Sequence, residues 1–101
     1  MKYPIDIEKY IAAMRLEFGA NAAAERVHRE AVIPFVNDSY AAGLRGEGGY
    51  PLDLEMECES LAEHLGKPLE VIRENPLLQP LIACANIAYE QGLRDAKEGR
   101  E

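Results

Sequence analysis

The sequence predicts an all-α protein made by tandem internal duplication of a three-helix unit, giving about six helices with pseudo-twofold symmetry. Three observations predict it. The first is an internal repeat. Tyr3-Pro4-Ile5-Asp6-Ile7-Glu8 returns as Tyr50-Pro51-Leu52-Asp53-Leu54-Glu55, and Asn37, Tyr40, Gly43, Leu44 and Arg45 return as Asn86, Tyr89, Gly92, Leu93 and Arg94. Aligned at an offset of 47 over residues 3–19 and 49 over residues 33–45, 11 of 30 pairs are identical, against roughly two for random pairing at ordinary usage. The second is apolar periodicity: Ile7, Ile11, Met14 and Phe18, then Leu54, Cys58, Leu61 and Leu65, mark one face of a helix in each copy. The third is composition, 48% hydrophobic and 29% charged over 101 residues, which suits a folded chain with one modest core. The copies occupy residues 1–47 and 48–101 and are expected to form one compact domain.

The first helix of each copy is expected near residues 6–18 and 53–65, with a proline and acids at its start, where the helix dipole favours them. Gly19 and Gly66 are expected to end these helices in the left-handed cap conformation that glycine adopts cheaply. Short middle helices are expected near 22–30 and 68–75, and last helices near 34–45 and 77–97, with Gly46-Glu47-Gly48-Gly49 as a flexible hinge between copies. Asn37 falls in line with Ile33, Tyr40 and Leu44, and Asn86 with Ile82, Tyr89 and Leu93. A polar residue on such a face must be hydrogen-bonded, so both are read as contacts that fix helix register. Gly43 and Gly92 sit mid-helix at a cost of about 1 kcal/mol each against alanine. Their recurrence predicts a close helix crossing where the two halves meet.

The net charge of −7 disfavours unaided binding to phosphate backbones and anionic membranes and favours a basic partner. It is unevenly placed: residues 1–47 carry six Lys/Arg against seven Asp/Glu, residues 48–101 five against eleven. No apolar run approaches the roughly 20 residues of a membrane span, and the first residues lack a signal-peptide apolar region. A cytosolic protein is expected. Cys58 and Cys84 are too few for a disulfide framework and are read as reduced core residues.

The chemistry-bearing motifs are few. Glu25-Arg26-Val27-His28 has the ExxH spacing of di-metal bundles, but Ile72 and Asn75 stand at the matching positions of the second copy. His28 and His64 form no ligand-spaced cluster with the cysteines, so no metal and no cofactor are expected. Without a nucleophile–base set or a phosphate-cradling loop, no enzyme is expected. Residues 60–73 have the apolar spacing and turn glycine of a helix–turn–helix. The would-be recognition helix carries Glu70 and Glu74 and stops at Pro76, which suits base edges poorly. A small helix–turn–helix DNA-binding regulator is therefore the alternative reading.

Glu55, Glu59 and Glu63 form an i, i+4, i+8 stripe that the first copy lacks, having Glu8, Ala12 and Leu16 there; Glu57 replaces Tyr10. With Glu70 and Glu74 these are the candidate partner-binding residues, the competing reading being an ordinary solvated face. A small, acidic, duplicated helical chain with paired YPxDxE and NxxYxxGLR segments is similar to the helical anti-CRISPR proteins of phages and mobile elements that inhibit the type I-F surveillance complex. That resemblance implies a non-enzymatic inhibitor that binds a basic surface of a nucleic-acid-binding protein complex, contacts no nucleic acid or membrane itself, and keeps target DNA out.

Overall fold

Each half begins with an extended segment whose aspartate starts a helix. In the computed structural model, which describes residues 2–99, Asp6 and Asp53 are the N-caps of α1 (Ile7–Phe18) and α4 (Leu54–Leu65), and their side chains accept from Lys9 N and Met56 N, both at 3.1 Å. α2 (Ala22–Val27) follows, then a π-helical turn over His28–Val32, then α3 (Ile33–Arg45) without any intervening loop. After α4 come α5 (Leu69–Arg73) and α6 (Leu78–Lys97). The described residues form helices and no strands.

The halves differ where the sequence reading expected sameness. In the first, the middle helix ends at Val27 and its continuation widens into the π turn just before Pro34, a residue with no N–H to give the ladder. In the second, Pro76 interrupts the chain, and Asn75 Oδ1 accepts from Leu77 N at 3.0 Å as the new helix begins. Gly66 takes the left-handed cap conformation, with Lys67 N donating to Ala62 O at 3.1 Å, but Gly19 does not: at φ 83° and ψ 167° it lies in an extended region open to glycine. Gly46 also caps left-handedly and Glu47 N donates to Ala42 O at 3.0 Å. Tyr89 Oη donates to the Glu47 carbonyl, so the expected flexible hinge is a capped turn tied to α6.

The core centres on α3 against α6. Val36, Tyr40 and Ala88 form its buried cluster, with Tyr3, Ile5, Leu44 and Leu81 packed on it, while Ile33, Ile82 and Ala85 are buried alongside. Gly43 and Gly92 meet at the crossing. A Cβ on Gly43 would overlap the Tyr89 carbonyl oxygen and lie 3.0 Å from Gly92 Cα; one on Gly92 would overlap the Tyr40 carbonyl oxygen and lie 3.0 Å from Gly43 Cα. Backbone meets backbone there, and each glycine gives up helix propensity for that approach.

Asn37 and Asn86 hold the extended segments onto this pair. Asn37 Oδ1 accepts from Ile5 N at 2.7 Å and its Nδ2 donates to Ile5 O at 3.0 Å; Asn86 does the same for Leu52 at 2.7 and 3.1 Å. Each amide satisfies a donor and an acceptor of a backbone that has left regular structure. Rather than setting helix register, each Asn docks the segment leading into the first helix of its half. The preceding tyrosines stack nearby, Tyr3 on Tyr40 with ring centroids 5.3 Å apart and Tyr50 on Tyr89 at 4.0 Å. The peptide bonds Tyr3–Pro4 and Tyr50–Pro51 are both cis.

Outside this centre the fold is thin. The radius of gyration is 14.8 Å and the principal extents are 43 × 35 × 16 Å, against about 13 Å for a compact chain of 100 residues. α1 buries only Ile11 and α4 only Cys58. Phe18, Leu54 and Leu65, all expected on the buried faces of these helices, are exposed.

Candidate functional site

The six candidate acids lie on α4, on α5 and at the C-cap of α5. The apolar residues of α4 turn Cys58 inward, which leaves Glu55, Glu59 and Glu63 exposed and Glu57 half-buried. Glu70 and Glu74 are exposed on either side of the buried Ile72. Glu55 is held by Arg73, whose Nε donates to Oε1 at 2.7 Å and to Oε2 at 3.2 Å across the α4–α5 contact. None of the other five takes part in an ion pair among the described residues. Glu59 contributes to the negative field that, after the Glu55 hydrogen bond, raises the Arg73 pKa.

A cleft of about 350 Å³ opens beside this ion pair, lined by Leu54, Glu55, Cys58, Arg73, Asn75, Pro76 and Gln79. Among the described residues no histidine, serine or aspartate lines it, and its Cys58 is buried. The residues 60–73 reading gains a turn at Gly66 but only a five-residue second helix.

The acids of the first half are differently employed. Glu8 is bridged to Arg29 at 2.9 Å, which holds its carboxyl below the usual carboxylate range. Glu25 is buried and receives Arg15 Nε on both oxygens at 3.0 Å and Nη2 on Oε1 at 2.7 Å. It also accepts from Asn21 N at 3.2 Å, while Asn21 Oδ1 accepts from Ala24 N, so the start of α2 is closed reciprocally. The Arg15 hydrogen bond, offset by burial and helped by the Asn21 amide, lowers the Glu25 pKa. His28 donates Nδ1–H to Ala24 O at 2.8 Å and stacks on Tyr10 at 5.9 Å between centroids. Both members of the ExxH pair thus have structural partners. Among the described residues no group of three or more His, Cys, Asp or Glu is placed to hold a metal ion.

Cys84 corrects the sequence reading, since it is exposed while Cys58 is buried. α6 buries Ile82, Ala85, Ala88 and Gly92, and Cys84 projects away from that face. The Arg15–Glu25 pair, the stacked tyrosines and the Tyr40 Oη donation to Asp95 Oδ2 at 2.6 Å were not foreseen. Only the tyrosines carried a signal, their recurrence in both copies.

No helix of the described residues is long and apolar enough to cross a membrane. No family model, no characterised protein and no solved structure matches the chain.

Proposed function

We propose that this is a non-catalytic binding protein, built from two copies of one helical unit, whose second copy docks on a basic surface of a nucleic-acid-handling complex. The observation that carries the reading is the disposition of the acids. Five of the six around α4 and α5 are exposed, and only Glu55 is held by an ion pair among the described residues. The acids Glu8 and Glu25 of the first half are instead tied to arginines. Carboxylates that fold for nothing remain available to steer encounter and to pair with lysine or arginine. The anti-CRISPR resemblance gives this a specific form: occupation of the surface on which a type I-F surveillance complex receives target DNA. The duplication is supported by the paired Asn37–Ile5 and Asn86–Leu52 clamps and the reciprocal Gly43–Gly92 contact.

The test is a titration of purified type I-F surveillance complex, reading its binding of target double-stranded DNA. Wild-type protein is expected to suppress that binding, and a Glu59→Lys, Glu63→Lys, Glu70→Lys variant to lose the effect. Suppression that survives the triple reversal overturns the acidic docking surface. Salt-dependent binding of the free protein to DNA favours the helix–turn–helix regulator instead.

A further inference from the structure

We propose that the Glu55–Arg73 bridge is a latch that shuts the α4–α5 corner over Cys58, and that this corner opens to expose the thiol while the α3–α6 centre stays folded. Three observations meet there. Cys58 is the one residue that α4 buries, at 3% exposure, and it lines the cleft of about 350 Å³ beside the bridge. Among the described residues the bridge is the one side-chain hydrogen-bonded link between α4 and α5. Its partners are half-exposed, 48% for Arg73 and 50% for Glu55, so water and salt compete for it.

The rest of the corner is lightly packed. α5 buries only Ile72, and Leu54, Leu65 and Val71 are exposed. The first copy shows a firmer version of the same corner. There Glu8, the counterpart of Glu55, is bridged to Arg29, and a second pair ties α1 to α2. That pair is Arg15 with the buried Glu25, which also accepts from Asn21 N. The second copy has Ala62 and Ile72 at the positions of Arg15 and Glu25, so it keeps one exposed ion pair where the first has two. At the centre, Gly43 and Gly92 bring main chain against main chain, and Tyr50 stacks on Tyr89. Elements with few buried contacts open as local units, at lower free energy than the core. Arg73 lines the same cleft as Cys58, and its pKa, raised first by the Glu55 hydrogen bond, is raised further by Cys58. The thiol is thus covered in the closed chain and reachable by a disulfide or an electrophile through the opening.

The test is labelling of Cys58 in the full chain by an uncharged dipyridyl disulfide, in a Cys84→Ser background that removes the exposed thiol. The Cys58 thiolate attacks the reagent's S–S bond, forms a mixed disulfide and releases thiopyridone, whose absorbance gives the rate. The Cys84→Ser chain is expected to react far more slowly than when unfolded in urea, and faster as salt rises. Its rate should depend little on urea below the global transition, because local opening exposes less surface than unfolding. Glu55→Gln and Arg73→Gln should each raise the rate roughly two- to fivefold and remove its salt dependence. Together they exclude a direct effect on the thiol, since removing an anion favours the thiolate and removing a cation disfavours it. Arg26→Gln, which breaks the exposed Arg26–Glu30 pair of the first copy, should leave the rate unchanged. Circular dichroism checks that each variant is folded; should a glutamine variant fold poorly, the salt and urea dependences of the Cys84→Ser chain decide. Labelling as fast as in the unfolded chain, labelling with the full urea dependence of global unfolding, or a rate indifferent to salt and to both substitutions overturns the proposal.

Discussion

Gly43 and Gly92 stand against each other with so little room that neither accepts a methyl group without moving the opposite main chain. The obstructing atoms are a carbonyl oxygen and a Cα on each side, which a rotamer change does not relieve. Alanine ordinarily stabilises a helix interior by about 1 kcal/mol over glycine. Here overpacking, typically about 1–3 kcal/mol, should prevail because backbone must give way. We expect Gly43→Ala and Gly92→Ala each to lower stability in urea unfolding. Gly48→Ala, where a Cβ meets open space, should change little. Equal stability of all three would mean that α3 and α6 do not cross at these glycines.

Asn37 and Asn86 each satisfy both polar groups of one extended residue, Ile5 and Leu52. Replacing either by alanine removes two hydrogen bonds and leaves a half-buried N–H and C=O to find water. The expected loss is about 1–3 kcal/mol for each variant. Aspartate is not a conservative replacement, since it keeps the acceptor for the N–H but sets a carboxylate against the carbonyl. Asn37→Asp should therefore destabilise as well, as thermal melts at neutral pH would register.

This central apparatus was legible because its residues occur twice in the sequence. Asn37, Tyr40 and Gly43 stood out by returning as Asn86, Tyr89 and Gly92, and all six lie at the α3–α6 centre or on the clamps attached to it. What periodicity missed lies at the edges. Phe18, Leu54 and Leu65 belong to an apolar spacing yet are exposed, and so is Cys84 on α6. Spacing reveals that a face is apolar without revealing whether the chain supplies its cover. The fusion of α2 to α3 was hidden too, because Pro34 reads as a helix start when a π turn absorbs it. The acidic residues were legible as exposed side chains, but the Glu55–Arg73 bridge needed the fold to bring residues 18 apart into contact.

The Arg15–Glu25 pair gives stability a definite pH dependence. Glu25 has a depressed pKa in the folded chain, caused first by the Arg15 hydrogen bond. Its contribution is therefore complete above the unfolded glutamate value of roughly 4.3 and is lost as pH falls through the folded value. Glu8, lowered by Arg29, acts in the same direction. Wild type should exceed Glu25→Gln in melting temperature at neutral pH, with the gap closing progressively below about pH 4. A gap that is constant down to strong acid would show that the Glu25 charge does not contribute, and that the variant differs only in shape.

Glu59 and Glu63 are exposed at i, i+4 on α4, with no ion pair among the described residues to lose. Like charges at this spacing repel slightly, and substitution to Lys at both places cations nearer the C-terminal end of the helix, where its dipole favours them. The double variant should melt within about 2–4 °C of wild type, as surface substitutions ordinarily do. Glu55→Lys is different, because it sets a second cation against Arg73 and removes the bridge between α4 and α5; it should melt lower. Across a desolvated basic interface, close charge pairs can couple by about 1.5–7 kcal/mol, so reversal of Glu59 and Glu63 should abolish docking while the fold stands. Measuring melting temperature and partner binding on the same preparations separates the two roles. If Glu55→Lys weakens binding only in proportion to its loss of folded protein, while Glu59→Lys with Glu63→Lys binds like wild type, the strip is a solvated face and the partner docks elsewhere.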